Sequence, residues 1–421
     1  MTRSIITTLG SRILVMLMSF AVVMLNTHFL GAGGQGTIAL IGLGISLVLA
    51  VSNFIGGGSV VYLASRISPG SLVAPAMTWS GVVALLFAFF AFLSGLIPPN
   101  LCLHIALLAF IHASFFFHLQ IMLGNGRIKE FNLANTIQSA FLLVYITLSY
   151  FLAEDTSLEI YLKGLYISYL ATWIYSFISS RKLLPAGTRA SFIQAFQSMW
   201  NYGKYAQASN LLHVLNKRLS LVLIEYLSAA GRSGVGIFSV GVQLSESALM
   251  ASSSMSVVQY SKLATTAETS KHFIVTGHLL RLSLLISTPL AVLLAILPDT
   301  LFIWIFGGEI SNLSRVLVFI TPGIIALSAD TILSHYFSAN GKYRVNTVAS
   351  SLAFIVLILS SPLLISSFGL SGASLAVSAA YVTQTLWHFI AYRKESGIKW
   401  LEVIPTYKDL QWLRENFLNK A

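Results

Sequence analysis

The chain has 421 residues, of which 56% are hydrophobic and only 9% charged, whereas soluble chains carry about 25% charged residues to cover their surface. That shortfall excludes a soluble globular protein, and a mean hydropathy of +0.80 turns most of the surface toward lipid. A formal charge of +11 would suit nucleic acid, but the basic residues lie between apolar runs rather than in one patch; membrane topology accounts for them, and no nucleic-acid partner is expected.

With about 20 apolar residues per crossing as the ruler, the sequence predicts an all-α integral membrane protein of about twelve transmembrane helices. In the first half they are Arg12–Phe29, Ile38–Tyr62, Met77–Ile97, Leu101–Leu123, Leu133–Leu152 and Ile160–Ile178. Arg3 precedes the first run as it would a signal peptide, but no small-residue cleavage site follows, so the run is read as a span. Cys102, the single cysteine, lies in an apolar run, can form no intramolecular disulfide, and is read as a small core residue. The second half gives Tyr205–Leu227, Gly236–Ser261, Phe273–Leu297, Val316–Phe337, Asn346–Ile365 and Gly369–Tyr392.

Between the halves, Pro185–Trp200 places Phe192, Phe196 and Met199 at helical spacing among polar residues, which predicts a linker helix lying on the lipid surface. The tail Lys408–Lys420 repeats the pattern, with Leu410, Leu413 and Phe417 on one face and Lys408, Arg414 and Lys420 elsewhere. The expected organisation is therefore an N-terminal six-helix lobe over 1–180, a cytoplasmic linker over 181–203, a second six-helix lobe over 204–392 and an amphipathic tail over 393–421.

The two lobes echo each other. Asn125-Gly126-Arg127-Ile128-Lys129 returns as Asn340-Gly341-Lys342-Tyr343-Arg344, and Phe29–Ser65 can be laid without a gap over Tyr226–Lys262, so that Gly34 meets Gly231 and Gly44 meets Gly241. Internal repeats of this kind belong most often to transporters whose halves rock about a site between them. Lysine and arginine fix the orientation. With the N-terminus inside, the cytoplasmic segments hold most of them, among them Arg66, Arg127, Lys129, Arg181, Lys342 and Arg344, while the outer segments hold only Lys163, Arg232 and Arg315. Both termini are then cytoplasmic, and the repeat is of the parallel kind.

Charges inside the bilayer are where chemistry is expected, since each costs about 2.5 to 3.5 kcal/mol at a helix centre on insertion scales. Lys217 and Arg218 lie near the middle of the seventh span and Glu246 at a like depth on the eighth, so a salt bridge across that hairpin is expected. One carboxylate cannot neutralise two cations, and Arg281 enters the ninth span, where it either joins them or snorkels to the inner interface. A cationic interior favours an anionic cargo, and guanidinium forks suit phosphate. Glu246 and Asp330 are the candidate ion-coupling carboxylates. His213, His335 and His388 are read as satisfied interior or interfacial residues rather than ligands, and no metal-ligand spacing appears. Pro289 and Pro362 should kink their helices, and Gly56-Gly57-Gly58 marks either close packing or a hinge.

These residues carry a family resemblance. Phe29-Leu-Gly-Ala-Gly-Gly-Gln-Gly36, Tyr202-Gly-Lys-Tyr-Ala206 running into Asn216-Lys-Arg-Leu219, Gly236-Ile-Phe-Ser-Val240, Phe306-Gly-Gly-Glu309, Thr321-Pro-Gly323, Asn340-Gly-Lys342 and Phe368-Gly-Leu-Ser-Gly-Ala373 follow one another over nearly the whole chain. In this order the chain resembles a bacterial polysaccharide repeat-unit flippase of the O-antigen (Wzx) type. That group lies in the multidrug/oligosaccharidyl-lipid/polysaccharide exporter (MOP) superfamily, beside multidrug and toxic compound extruders (MATE) and lipid II flippases. The resemblance implies a MATE-like fold and no enzymatic activity. The implied work is translocation of an undecaprenyl-pyrophosphate-linked oligosaccharide from the cytoplasmic to the periplasmic leaflet of the inner membrane, for O-antigen, lipopolysaccharide or another surface polysaccharide. It implies no cofactor beyond coupling to H⁺ or Na⁺, and partners in the bilayer, a polysaccharide polymerase and a chain-length regulator. Lys217, Arg218, Arg281 and Asn216 become the substrate contacts and Glu246 a coupling acid, although Ser220 stands where many relatives carry an acid. Two rivals are a drug or cation antiporter of the same superfamily and a membrane polymerase. The second would need a large outer loop, yet the longest, Pro298–Arg315, spans roughly 18 residues.

Overall fold

The structure is a computed structural model describing residues 2–64, 66–152, 156–185, 188–265, 269–398, 402, 404–407, 409 and 411. Among them every regular element is a helix, apart from one isolated bridge between Ile67 and Thr188. Most of the tail predicted over Lys408–Lys420 lies outside the described residues.

The chain forms two compact units, Met1–Val214 and Leu215–Ala421. The first holds α1 (Thr2–Ser52), α2 (Gly58–Leu63), α3 (Pro69–Ser94), α4 (Pro99–Gly124), α5 (Ile128–Leu152), α6 (Leu158–Ser180) and the start of α7 (Phe192–Leu227). The second holds the rest of α7, then α8 (Gly231–Ser247), α9 (Met250–Thr265), α10 (Thr269–Ile296), α11 (Asp299–Phe306), α12 (Leu313–Ala339) and α13 (Tyr343–Ser396).

Among the described residues seven helices are long and apolar enough to cross a membrane, and the bent pair α8 and α9, counted as one span, makes an eighth. Two of them are too long for one crossing. At 54 residues α13 would reach about 80 Å, against a hydrocarbon core of about 30 Å. Each over-long helix carries one glycine in the left-handed region, Gly31 (φ 69°) in α1 and Gly369 (φ 57°) in α13, and turns there. Counting each as two spans and adding the more polar α6 and α7, the helices match the predicted crossings of a multi-pass membrane protein. Apolar side chains such as Leu85, Phe90, Leu359 and Leu363 stand exposed, as lipid-facing residues do.

Two expectations change. The second span does not run unbroken from Ile38 to Tyr62: the backbone turns over Asn53–Gly57 before α2 begins. A β-carbon on Gly57 would sit 2.8 Å from the Gln207 amide nitrogen, and one on Gly203 only 2.3 Å from the Phe54 carbonyl oxygen. The glycines therefore serve close packing of α7 against this turn. The linker face, expected on the lipid surface, instead packs on protein. Phe192 is exposed, but Ala195 and Met199 are wholly buried and join Phe196 in a cluster with Ile55, Val60 and Leu72. Trp79 meets both Phe196 and Trp200 edge-on, so aromatic contacts within the unit replace the headgroup layer as its partner.

The repeated Asn-Gly pair shows why the echo exists. At the end of α4 the Arg127 N–H donates to the Met122 carbonyl (2.8 Å) and the Gly126 N–H to that of Leu123 (3.1 Å). At the end of α12 the Lys342 N–H donates to the Phe337 carbonyl (2.8 Å) and the Gly341 N–H to that of Ser338 (3.1 Å). Both are Schellman caps, which need a left-handed residue at the first position past the helix; Gly126 has φ 71° and Gly341 φ 73°. In each case the asparagine amide also donates back one turn, Asn125 to Ile121 O and Asn340 to Tyr336 O. The two capped helices also occupy matching places in their units. The central helix of the first unit is α4, packed on α1, α2, α3, α5 and α6, and that of the second is α12, packed on α8, α9, α10, α11 and α13.

Candidate transport site

The sequence Asn216-Lys217-Arg218 lies on α7, where successive side chains turn by about 100°, so the three point to different neighbours. Asn216 is buried and its amide donates to the Ser350 carbonyl of α13 (2.9 Å), leaving its Oδ1 without a partner. It ties two helices together. Lys217 Nζ lies 3.1 Å from Glu246 Oε1 on α8, both side chains about a quarter exposed, which forms the hairpin bridge expected from the sequence. Arg218 is half-buried and has no carboxylate in ion-pair range among the described residues; it lies within electrostatic reach of Tyr381 on α13. At this level of the unit one positive charge is left over.

Arg281 is placed elsewhere. Its Nε donates to Asp409 Oδ1 of the tail (2.8 Å) and its Nη1 to the Glu402 carbonyl (3.0 Å), while His278 Nδ1 lies 2.6 Å from the same carboxylate oxygen. Asp409 is fully buried, and its other oxygen accepts from the Thr406 N–H and hydroxyl, both at 2.8 Å. Neither Lys217 nor Arg218 takes part in this cluster, so the sequence-predicted cations divide into two groups.

Asp330 belongs to a third group, and it is the most completely built. Its Oδ2 accepts from Gln384 Nε2 (2.7 Å) and its Oδ1 faces His388 Nδ1 at 2.5 Å. The far nitrogen of His388 faces Asn346 Oδ1 (2.9 Å), and the Asn346 amide donates to Ser334 O (3.0 Å) and Ser338 Oγ (2.8 Å) on α12. Asp330 is 2% exposed and His388 1%. The sequence singles out Asp330, gives His388 as a satisfied interior or interfacial residue and leaves Gln384 and Asn346 unmarked. One signal was available: Gln384 and His388 are four residues apart, hence on one face of a helix. Their partner on α12 is a long-range contact that no local pattern announces. His335, one turn from Asp330, is held separately by the Thr331 carbonyl (2.7 Å) and Ser256 Oγ (3.4 Å).

The first unit, for which the sequence offered no site, also buries polar groups. Asn26 on α1 accepts from the Tyr150 hydroxyl of α5 at 3.0 Å, and its Nδ2, like Gln35 Oε1 beyond the Gly31 turn, has no hydrogen-bond partner among the described residues. In the second unit Pro322 leaves α12 with a broken hydrogen-bond ladder, and the Ser378 hydroxyl of α13 fills it. The Gly323 N–H donates to Ser378 Oγ (2.9 Å), which in turn donates to Phe319 O (2.8 Å).

No family model and no curated protein sequence matches the chain. Solved structures do. An inward-facing multidrug-resistance MATE transporter of the MOP superfamily superposes with a TM-score of 0.70 at 12% identity, over 91% of this chain and 94% of its own. The lipid II flippase MurJ in an inward closed conformation gives 0.70 at 14%, over 99% and 93%. A mutant form of the Vibrio cholerae MATE transporter VcmN gives 0.66 at 16%, over 95% and 98%. At such identities the likeness is one of fold, and it extends over nearly the whole of both chains: this protein has the fold shared by MATE transporters and the lipid II flippase MurJ.

Proposed function

We propose that the protein is a flippase that moves an undecaprenyl-pyrophosphate-linked oligosaccharide from the cytoplasmic to the periplasmic leaflet of a bacterial inner membrane by alternating access. It would supply O-antigen or another surface polysaccharide, handing the unit to a polymerase. Transport as a class is supported by the fold shared with MATE transporters and MurJ. The cargo is supported by a single observation, the positive charge left on α7 once Glu246 has matched Lys217. A guanidinium without a carboxylate in a membrane-embedded helix is costly unless something anionic visits it, and a phosphate oxygen pair fits its fork. Asn216 would hold α7 against α13 during passage, and Glu246 and Asp330 are the carboxylates available for ion coupling.

Arg218→Gln tests the reading more sharply than loss of Lys217, which would strand Glu246. We expect surface polysaccharide to fall at least about tenfold while the amount of protein in the membrane stays the same, with Arg218→Lys intermediate because it keeps the charge but not the fork. An unchanged polysaccharide ladder in Arg218→Gln removes Arg218 from the cargo path. The drug-antiporter reading takes its support from the MATE transporters among the structural neighbours; dye efflux from proteoliposomes that survives Arg218→Gln would favour it.

A further inference from the structure

We infer that Asp330 and His388 form a proton-binding site inside the second unit, holding one exchangeable proton whose departure must open the contact between α12 and α13. The Ser334 carbonyl can only accept, so the Asn346 atom facing it at 3.0 Å is the amide nitrogen, and the atom facing His388 Nε2 is the amide oxygen. Nε2 therefore carries a proton. At the other side of the ring, Nδ1 and Asp330 Oδ1 are 2.5 Å apart, a separation at which two lone pairs repel, so a proton lies between them as well. Imidazole and carboxylate together hold two protons, which makes the group neutral overall, and because an imidazole is ordinarily the stronger base of the two the form is imidazolium beside carboxylate.

The proton at Nε2 stays with Asn346, so the exchangeable one is that between Nδ1 and Oδ1. When it leaves to water, His388 keeps Nε2–H, Asp330 keeps the Gln384 N–H, and the pair carries a net negative charge in a core that is 1–2% exposed. The imidazole lone pair then faces a carboxylate lone pair, and the ring or the carboxylate must move. Asp330 sits on α12 and His388 on the second half of α13, so the movement is relayed to the packing of the unit's central helix. Half-buried Asn346 lies one turn inside the Asn340–Lys342 loop and joins the buried pair to the outer end of the network.

The other titratable groups on the packed helices have their own partners: His335 with Thr331 and Ser256, Tyr336 and Lys342 with Glu395, His272 with Asn340, His278 and Arg281 with Asp409, and Glu246 of α8 with Lys217.

Use of this proton to drive cargo movement rests on the transport reading above; its binding does not. The test is therefore spectroscopic. The full chain, labelled with ¹⁵N-histidine and placed in lipid nanodiscs, is titrated from about pH 5 to about pH 9.5, a window that brackets the imidazole range, with His388→Gln identifying the signal. We expect both His388 nitrogens protonated at the acid end and one proton lost on the way up. In Asp330→Asn, which keeps the shape without the charge, the amide can donate to Nδ1, so the ring should carry a proton on Nε2 alone at the same pH. A wild-type ring that is singly protonated throughout, one that is doubly protonated throughout, or a ring still doubly protonated in Asp330→Asn each overturns the proposal. Polysaccharide loss in Arg218→Gln is independent of all three outcomes, so failure of one reading is distinguishable from failure of the other.

Discussion

Arg281 enters α10 where an unpaired cation would be costly, and it is met there by a carboxylate from a distant part of the chain. Burial by itself would push the Asp409 carboxyl up. The Thr406 N–H, the Arg281 guanidinium, the Thr406 hydroxyl and His278 outweigh it and hold the group below the usual carboxylate range. A depressed folded value means that the contact stabilises the docked tail fully above the ordinary carboxylate pKa of about 3.9, and that this stability is lost as pH falls through the folded value. Tail docking should therefore be constant across neutral pH and fail only in strong acid. Asp409→Asn removes the charge at every pH and leaves Arg281 facing a neutral amide, at a cost of about 3 kcal/mol for breaking a buried pair from one side. Limited proteolysis after α13 should show the wild-type tail protected at pH 7 and the variant cut readily; equal protection would mean that the contact contributes nothing. Little of this was legible beforehand. The sequence showed Arg281 as a stray charge in an apolar run and Asp409 as one polar residue of an amphipathic tail, and nothing local links positions so far apart.

At the scale of the helix, the Asn-Gly pairs were legible as a repeat and not as a device. Their identity follows from backbone geometry: a Schellman cap needs a residue at positive φ, and an asparagine before it adds one more donor for an orphan carbonyl. Because the two caps share the same hydrogen bonds, Gly126→Ala and Gly341→Ala should cost about the same, roughly 1 to 2 kcal/mol each from the left-handed conformation alone. Nothing lies within 4 Å of a β-carbon at either glycine, so no steric contribution separates them. Gly372→Ala should be worse, since its β-carbon would fall on the Leu364 carbonyl across the Gly369 turn of α13. Thermal unfolding in detergent checks the order: two equal, modest losses in melting temperature and one larger. A Gly372→Ala variant as stable as Gly126→Ala would show that the turn in α13 relaxes freely. The interruption at Asn53–Gly57 was harder to foresee, because three glycines in an apolar run fit a packed helix and a broken one equally well, and the decision belongs to α7, whose Gly203 and Gln207 come against that turn.

For the whole molecule, composition and run length together dictate the class: with so few charges the backbone must satisfy its hydrogen bonds internally, as helices or closed barrels do in lipid, and apolar runs of about 20 residues select helices. Span number was legible because crossing length is fixed by the bilayer. Which face of each helix meets protein was not, because lipid and core are equally apolar and the sequence of α4, more than half buried, reads much like that of α3, of which less than a third is buried. Orientation rests on lysine and arginine placement, and the structure supplies the means to test it. Cys102 is buried, so the native chain gives no background with a membrane-impermeant thiol reagent. Exposed Lys129 and Arg344 follow the capped ends of α4 and α12, while exposed Asn100 and Gly308 lie beside the starts of the same two helices. If both units insert the same way round, Lys129→Cys and Arg344→Cys should label only after the cells are opened, and Asn100→Cys and Gly308→Cys should label in intact cells. Labelling of Lys129→Cys and Arg344→Cys from opposite sides would mean that the units are inverted with respect to the membrane, and the parallel repeat would have to be given up.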